Sequence, residues 1–183
     1  MQRIFFILGA LLLVLVGALY FLGRGRIESS AAKPRPRVLE RTTQIETLTL
    51  YFGDSKRIGF VSEARSSATG SNLEARARAV IRELAQGPLE SGLPVLPAEA
   101  RLEHAFLDRW GIAYLDFDRG ILSERKLDGQ EWLMVGSIVR SICVNFPEVR
   151  AVRFMVAGEM VTSLSGYVDL EEPLTAADFA LAP

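Results

Sequence analysis

Ser71-Asn72-Leu73-Glu74-Ala75-Arg76-Ala77-Arg78-Ala79-Val80-Ile81-Arg82-Glu83-Leu84-Ala85-Gln86-Gly87-Pro88 is the stretch from which the fold follows. Ser71 and Glu74 have the spacing of a capping box, in which each side chain satisfies a backbone donor left free at a helix start. Leu73, Ala77, Val80, Ile81 and Leu84 recur at helical spacing and make one apolar stripe. Glu74, Arg76, Arg78, Arg82 and Glu83 fall off that stripe and are expected to face water. Gly87 suits a left-handed cap and Pro88 cannot continue a helix, so the end is sharp. A helix with one apolar stripe needs a sheet to cover.

Strands flank it on both sides. Thr47–Phe52 alternates and is rich in β-formers, which makes it the first strand, and Phe60–Arg65 is a second short extended piece before a polar loop, Ser66–Gly70. Arg101–Asp108 and Ile112–Phe117 read as a hairpin across Arg109-Trp110-Gly111. A second helix is predicted from about Gly129 to Asn145, with Val135, Ile138, Val139, Ile142 and Phe146 on its apolar side and Pro147 as its stop. Ala151–Val156 and Met160–Leu164 form a last hairpin, and the tail from Gly166 is loop-like. This order predicts an α+β fold: a two-layer domain with two helices packed on one face of a four- to five-stranded mixed sheet.

Ahead of this domain, Ile4 to Leu22 runs for nineteen residues without a charge. At about 1.5 Å per residue it matches the roughly 30 Å hydrocarbon core of a bilayer. The run exceeds the apolar core of a signal peptide, about 7–15 residues, and no Ala-x-Ala site precedes a polar start. The expectation is therefore an uncleaved transmembrane anchor over 1–23, with the lipid bilayer as its partner. Residues 24–45 read as a basic stalk containing Pro34 and Pro36, residues 46–170 as the folded domain and 171–183 as a C-terminal tail. Residues 1–45 hold seven basic and two acidic side chains, net +5, and residues 46–183 hold fourteen and twenty, net −6. The stalk is either a grip on anionic headgroups or a solvated spacer. An acidic domain argues against nucleic acid as a partner. The arginines after the span lean toward a cytoplasmic domain by the positive-inside rule.

Few residues offer chemistry. His104 is the only histidine and reads as a half-buried strand position rather than a general base. Cys143, the only cysteine, lies on the apolar side of the second helix and behaves as a small hydrophobe; no intramolecular disulfide is possible. Asp116 and Asp118, with Asp108 across the hairpin, lack the oxygen-rich loop that calcium wants, and read as solvated strand-end carboxylates. Arg65 either pairs with a carboxylate such as Asp116 or contacts a partner. No phosphate loop, dinucleotide fingerprint, zinc pair or nucleophile elbow is found. The expectation is no catalytic residue, no metal and no cofactor.

Leu48-Thr49-Leu50-Tyr51-Phe52, Glu63-Ala64-Arg65, the helix closing on Gly87-Pro88, and Gly92-Leu93-Pro94 occur in that order. Gly111-Ile112-Ala113-Tyr114-Leu115-Asp116-Phe117, the helix Ser137 to Phe146, and Pro147-Glu148-Val149-Arg150-Ala151-Val152-Arg153-Phe154 with Gly158 follow them. This ordered set resembles the GerMN domain family of sporulation and spore-germination proteins and of some bacterial lipoproteins, over roughly residues 46–170. The resemblance implies a bacterial inner-membrane protein with an extracytoplasmic domain, similar to the ring-building modules of envelope machines, with no established catalysis. The chain lacks a lipid-carrying cysteine and has one copy of the domain, so a sporulation role does not carry over. The function expected is that of a membrane-anchored, non-enzymatic envelope protein whose domain mediates protein–protein interaction or assembly, with an envelope protein or with itself. The alternative is a glycan- or small-ligand-binding accessory domain for cell-wall processes.

Overall fold

Alternation along β1, Gln44–Gly53, places Leu48, Leu50 and Phe52 on one face, and all three are fully buried. The computed structural model describes Ala18 and residues 44–56, 59–122 and 130–180. The expected span over Ile4–Leu22, apart from Ala18, and the stalk up to Thr43 lie outside the described residues. Among the described residues no helix is long and apolar enough to cross a membrane. Arg41–Pro183 forms one unit, separate from Met1–Glu40.

β2, Phe60–Thr69, pairs antiparallel with β1 along its whole length, from Gln44↔Thr69 to Gly53↔Phe60. Both strands are longer than their sequences suggested, because Ser66–Thr69, expected as loop, continues the ladder against Gln44–Thr47. Helix α1, Leu73–Gln86, follows, with Ala77, Val80, Ile81 and Leu84 buried as the stripe requires. Its cap is Asn72 rather than Ser71: the Asn72 side chain accepts from the Ala75 N–H at 2.8 Å. The predicted box is therefore not formed: the residue three after this cap is Ala75, which has no side-chain acceptor to return the bond.

β3, Leu102–Leu107, and β4, Ile112–Phe117, form the expected hairpin, with Gly111 at φ 85° in the turn. A 3₁₀ turn at Arg119–Leu122 precedes α2, Glu131–Asn145. β5, Ala151–Val156, then returns parallel to β4, as a strand–helix–strand crossover allows. Ala157 and Gly158, at φ 52° and 81°, turn the chain into β6, which is only Glu159–Met160 and does not run on to Leu164. Two positive φ values are what a two-residue hairpin turn demands.

The α+β class holds, but the strands form two sheets: a two-stranded sheet of β1 and β2, and a four-stranded mixed sheet in the order β3-β4-β5-β6. The single sheet expected from the sequence fails for a local reason. The free edge of β1 is occupied by side chains of α2. Ser141 Oγ accepts from the Tyr51 N–H at 2.9 Å, while Asn145 Oδ1 accepts from the Thr49 N–H at 2.9 Å and Asn145 Nδ2 donates to the Thr49 carbonyl at 2.7 Å. Four helical residues advance about 6 Å and two strand residues about 6.7 Å, so Ser141 and Asn145 match Tyr51 and Thr49 in step. Both helices nevertheless share the common core. α1 packs on β1, β2 and β3, and α2 packs on β1 and β5.

The last segment is loop-like in backbone but built into the core. Leu170 and Phe179 are buried, and Leu174 bridges to Val152 through two hydrogen bonds of 2.8 Å. Gly136 on α2 lies where any Cβ would collide with the Phe60 and Phe179 rings. Asn145→Ala removes both hydrogen bonds to Thr49 and exposes the β1 edge. It should lower unfolding free energy by about 2–3 kcal/mol in a urea titration; a change within the error of zero would show that β1 does not depend on this seam.

Candidate interaction surface

The inward face of β2 is polar, and this sets the chemistry of the interior. Val61, Glu63, Arg65, Ser67 and Thr69 share that face by alternation, and the last four are buried. Arg65, 8% exposed, is surrounded by acceptors. It pairs with Glu63, donates from Nη1 to Glu83 Oε2 at 3.3 Å and to the Glu83 carbonyl at 3.2 Å, and donates from Nη2 to the Gly87 carbonyl at 3.1 Å. Its carbonyl partners are at the C-terminal end of α1, where helical carbonyls have no intrahelical donor and favour a cation. Glu63 Oε2 accepts from the Leu89 and Glu90 N–H groups at 3.0 and 3.3 Å, and Ser67 Oγ donates to Glu83 Oε1 at 2.6 Å. Burial alone would push the Glu63 carboxyl up, but the Arg65 guanidinium and the two N–H groups outweigh it and hold it below the usual range. Arg65 is thus a pinning residue, paired with Glu63 and Glu83 and not with Asp116.

Two further charged groups do comparable work. Arg76 reaches from α1 to Glu46 on β1 and donates to the Asn145 carbonyl at the end of α2 at 3.2 Å, its guanidinium 4.6 Å above the Phe146 ring. The Arg76 guanidinium holds the Glu46 carboxyl below its usual range. Glu131, in the first turn of α2 and 3% exposed, accepts from the N–H groups of Leu164, Tyr167 and Val168 and the hydroxyls of Ser163 and Ser165. Burial pushes that carboxyl up and these donors, which prevail, pull it down.

The remaining sequence candidates are dispersed. Asp116 Oδ1 accepts from the Gly158 N–H at 2.9 Å and braces the β5–β6 turn. Asp118 Oδ1 accepts from the Arg101 and Gly120 N–H groups, and Asp108 Oδ1 from those of Trp110 and Ile112. Each of these carboxylates serves its own turn, and the described residues hold no group of three or more His, Cys, Asp or Glu arranged for a metal ion. His104 is exposed rather than half-buried, with Nδ1 3.6 Å from Glu74 Oε2. Cys143 is half-buried, and burial pushes its thiol up, away from a reactive thiolate.

The four-stranded sheet has one buried and one exposed side. The inner side of the four-stranded sheet is apolar core. On its outer side the pairings Phe106↔Tyr114, Tyr114↔Arg153, Asp116↔Met155 and Met155↔Met160 set an aromatic and thioether strip across four strands. Phe106 and Tyr114 stack with ring centroids 4.6 Å apart, and Phe106 and Met160 are each 49% exposed. Exposed aromatic and methionine side chains of this kind are enriched at binding surfaces. At the hairpin tip Trp110 is 61% exposed, with the Arg109 guanidinium 4.1 Å above its ring.

Arg65→Met leaves Glu63 and Glu83 buried without their cation and should cost about 3–5 kcal/mol of unfolding free energy. Replacing all three by apolar residues of similar size should cost less than Arg65→Met alone; the reverse ranking in urea titrations would refute the pinning role. Glu131 tests the sign of the pH dependence. Its depressed folded-state pKa contributes stability that is present above the ordinary glutamate value, about 4.3, and disappears as pH falls through the folded value. The stability gap between the native chain and Glu131→Gln should therefore be widest near neutrality and narrow below about pH 4; a gap that widens on acidification would contradict it.

Comparison with known proteins gives this arrangement a lineage. Three solved structures share the fold. The first GerMN domain of the sporulation protein GerM from Bacillus subtilis superposes with a TM-score of 0.58 at 18% identity, over 73% of this chain and 99% of that one. The tandem GerMN domains of the same protein give 0.52 at 22% identity over 73% of this chain, which spans 44% of theirs. A protein from Clostridium perfringens described as a lipoprotein gives 0.50 at 23%, over 73% and 89%. No curated protein matches the sequence. The family described as sporulation and spore germination matches residues 49–162, from β1 through β6 with both helices inside, and the chain belongs to this family, Germane, the family of GerMN domains.

Proposed function

We propose that this protein is a membrane-anchored, non-enzymatic component of the bacterial envelope, and that its GerMN domain, on the extracytoplasmic side, binds another protein. The observation that carries the reading is the outer strip of the four-stranded sheet, where Phe106 and Met160 stand half-exposed beside Tyr114. Asp108, Asp116, Asp118 and Glu131 hold turns and loops, and Arg65 and Arg76 hold helix ends, so the reading places function on the surface. Membership of a family that includes a sporulation protein supports an envelope setting. The uncharged run Ile4–Leu22 supports attachment through the bilayer itself.

A photo-crosslinking residue in place of Phe106 or Met160 in living cells should trap a discrete protein. The same residue in place of the exposed Ser62, on the outward face of β2, should not. Crosslinks from position 62 alone would overturn the assignment. Protease added to cells with the outer barrier opened should digest the domain; protection until lysis would place it in the cytoplasm, as the flanking arginines suggest.

A second reading, glycan binding, has one observation in its favour. Trp110 stands at the rim of an open groove of 490 Å³ that Glu148 and Arg150 also line, and an exposed indole beside polar groups suits a sugar ring. Retention of the full chain on insoluble peptidoglycan, lost in Trp110→Ala, would favour it over the first.

A further inference from the structure

A cationic groove lies in this acidic domain. Arg78, Arg82 and Arg101 line one open groove of 720 Å³ between α1 and the start of β3, over apolar positions that include Ile81, Ala85 and Leu102. Glu103 is the one carboxylate among the described residues that line it, while Glu74 and Glu83 pair with Arg78 and Arg82 from outside the groove; residues 46–183 as a whole carry a net charge of −6. The guanidinium groups are held from behind. Arg78 Nε donates to the Leu102 carbonyl at 3.0 Å, and its Nη2 donates to Glu74 Oε1 at 2.8 Å and to the Glu103 carbonyl. Arg82 Nη2 donates to Ser67 Oγ at 2.8 Å and the Ala68 carbonyl at 3.1 Å and lies 3.4 Å from Glu83 Oε1, and Arg101 Nη1 donates to the carbonyls of Ala98 at 2.6 Å and Ala100 at 2.9 Å. Nε and Nη1 of Arg82, and Nε and Nη2 of Arg101, have no acceptor among the described residues. On Arg101 the two free groups form one edge, so this fixed guanidinium loses little freedom when an oxyanion arrives, while Arg82 offers single N–H groups beside it.

We infer that this groove binds a short acidic segment of a partner protein through its carboxylates. This inference names a partner chemistry for the protein-binding reading above and rests on it. Three features favour a peptide. The cations are all arginines, whose planar fork matches a carboxylate with two parallel hydrogen bonds. Arg78 and Arg82 are four helical residues apart, about 6 Å, and carboxylates on alternate residues of an extended peptide are about 6.7 Å apart. The apolar floor accepts a side chain that an inorganic anion lacks. A membrane surface fits less well, because a recessed groove does not meet a flat plane of headgroups.

The test uses the full chain in an uncharged detergent, with fluorescein-labelled Glu-Leu-Glu-Leu-Glu as probe and fluorescence anisotropy as readout. Binding should be saturable and weaken with salt. It should be absent for Gln-Leu-Gln-Leu-Gln, and fall roughly tenfold or more in the Arg82→Gln/Arg101→Gln double variant, as expected for loss of charged hydrogen bonds. Ala85→Glu, a good helix former that sets a negative charge on the groove floor, should abolish binding while leaving the thermal melt unchanged. Equal binding by either variant, or by the glutamine peptide, would overturn the inference. So would displacement of the probe by monomeric short-chain phosphatidylglycerol but not by unlabelled acidic peptide, which would make the groove a headgroup site. If no peptide binds while crosslinks persist at positions 106 and 160, the groove assignment fails alone; if those crosslinks are missing too, the protein-binding reading fails with it.

Discussion

One guanidinium, that of Arg65, ties three separate segments of the domain together. β2 brings it inward, the last turn of α1 offers it the carbonyls of Glu83 and Gly87, and Glu63 beside it accepts from the chain just after Pro88. Burying an ion costs several kcal/mol unless partners surround it. Here every direction holds an acceptor, so the helix end, the strand and the following loop fit together in one arrangement only. An apolar residue at position 65 could fill the space but would leave the carbonyls of α1 without donors. Arg76 repeats the device at the end of α2, where it meets the Asn145 carbonyl. Both helices are thus terminated by an arginine from elsewhere, and neither has a basic residue in its own last turn.

The same economy explains why the domain has two sheets. A free strand edge is a template for another strand, and β1 could have joined the four-stranded sheet or a second molecule. Ser141 and Asn145 close that edge with side chains instead, and the helix that supplies them also covers β5. The polar groups of Ser141 and Asn145 would be a penalty on a helix facing an apolar layer. Against the backbone of Thr49 and Tyr51 they find donors and an acceptor at hydrogen-bond distance, so the seam between β1 and α2 is polar and internally paired.

Much of this was legible in the chain, and the part that was not has a common cause. The buried alternation of Leu48, Leu50 and Phe52, the stripe of α1, the Trp110-Gly111 hairpin and the stop at Pro147 are local patterns, and local pattern carries period and punctuation. Glu83 reads as a water-facing residue because a helix examined alone shows only its apolar side. Its burial depends on Arg65, eighteen residues earlier in the chain. Ser66 to Thr69 reads as loop because polar residues suggest exposure, whereas Ser67 and Thr69 point inward to Glu83 and Glu46. One available signal was the alternation of Glu63, Arg65 and Ser67 through a segment opposite Leu50 and Leu48. A strand that is polar on its inward face demands a charged partner, and Glu83 at the end of the neighbouring helix was the candidate. The recognition surface was less legible still, since Phe106, Tyr114, Met155 and Met160 come together only through sheet order.

These constraints also separate architecture from function in the molecule. A catalytic group needs a charge whose pKa is poised and whose neighbours leave room for substrate. Glu63, Glu46 and Glu131 are driven the opposite way, below their ordinary range, by donors that saturate them. A carboxylate so held is a fixed anion over the whole physiological range and a poor proton carrier. Arg82, paired with Glu83 on one side, and Arg101 keep N–H groups toward an open surface, where in the reading proposed above they orient a partner. On this view the interior charges specify shape and the exterior ones specify company. Substitutions on the exposed surface can therefore leave the scaffold that Arg65, Arg76 and Glu131 hold unchanged.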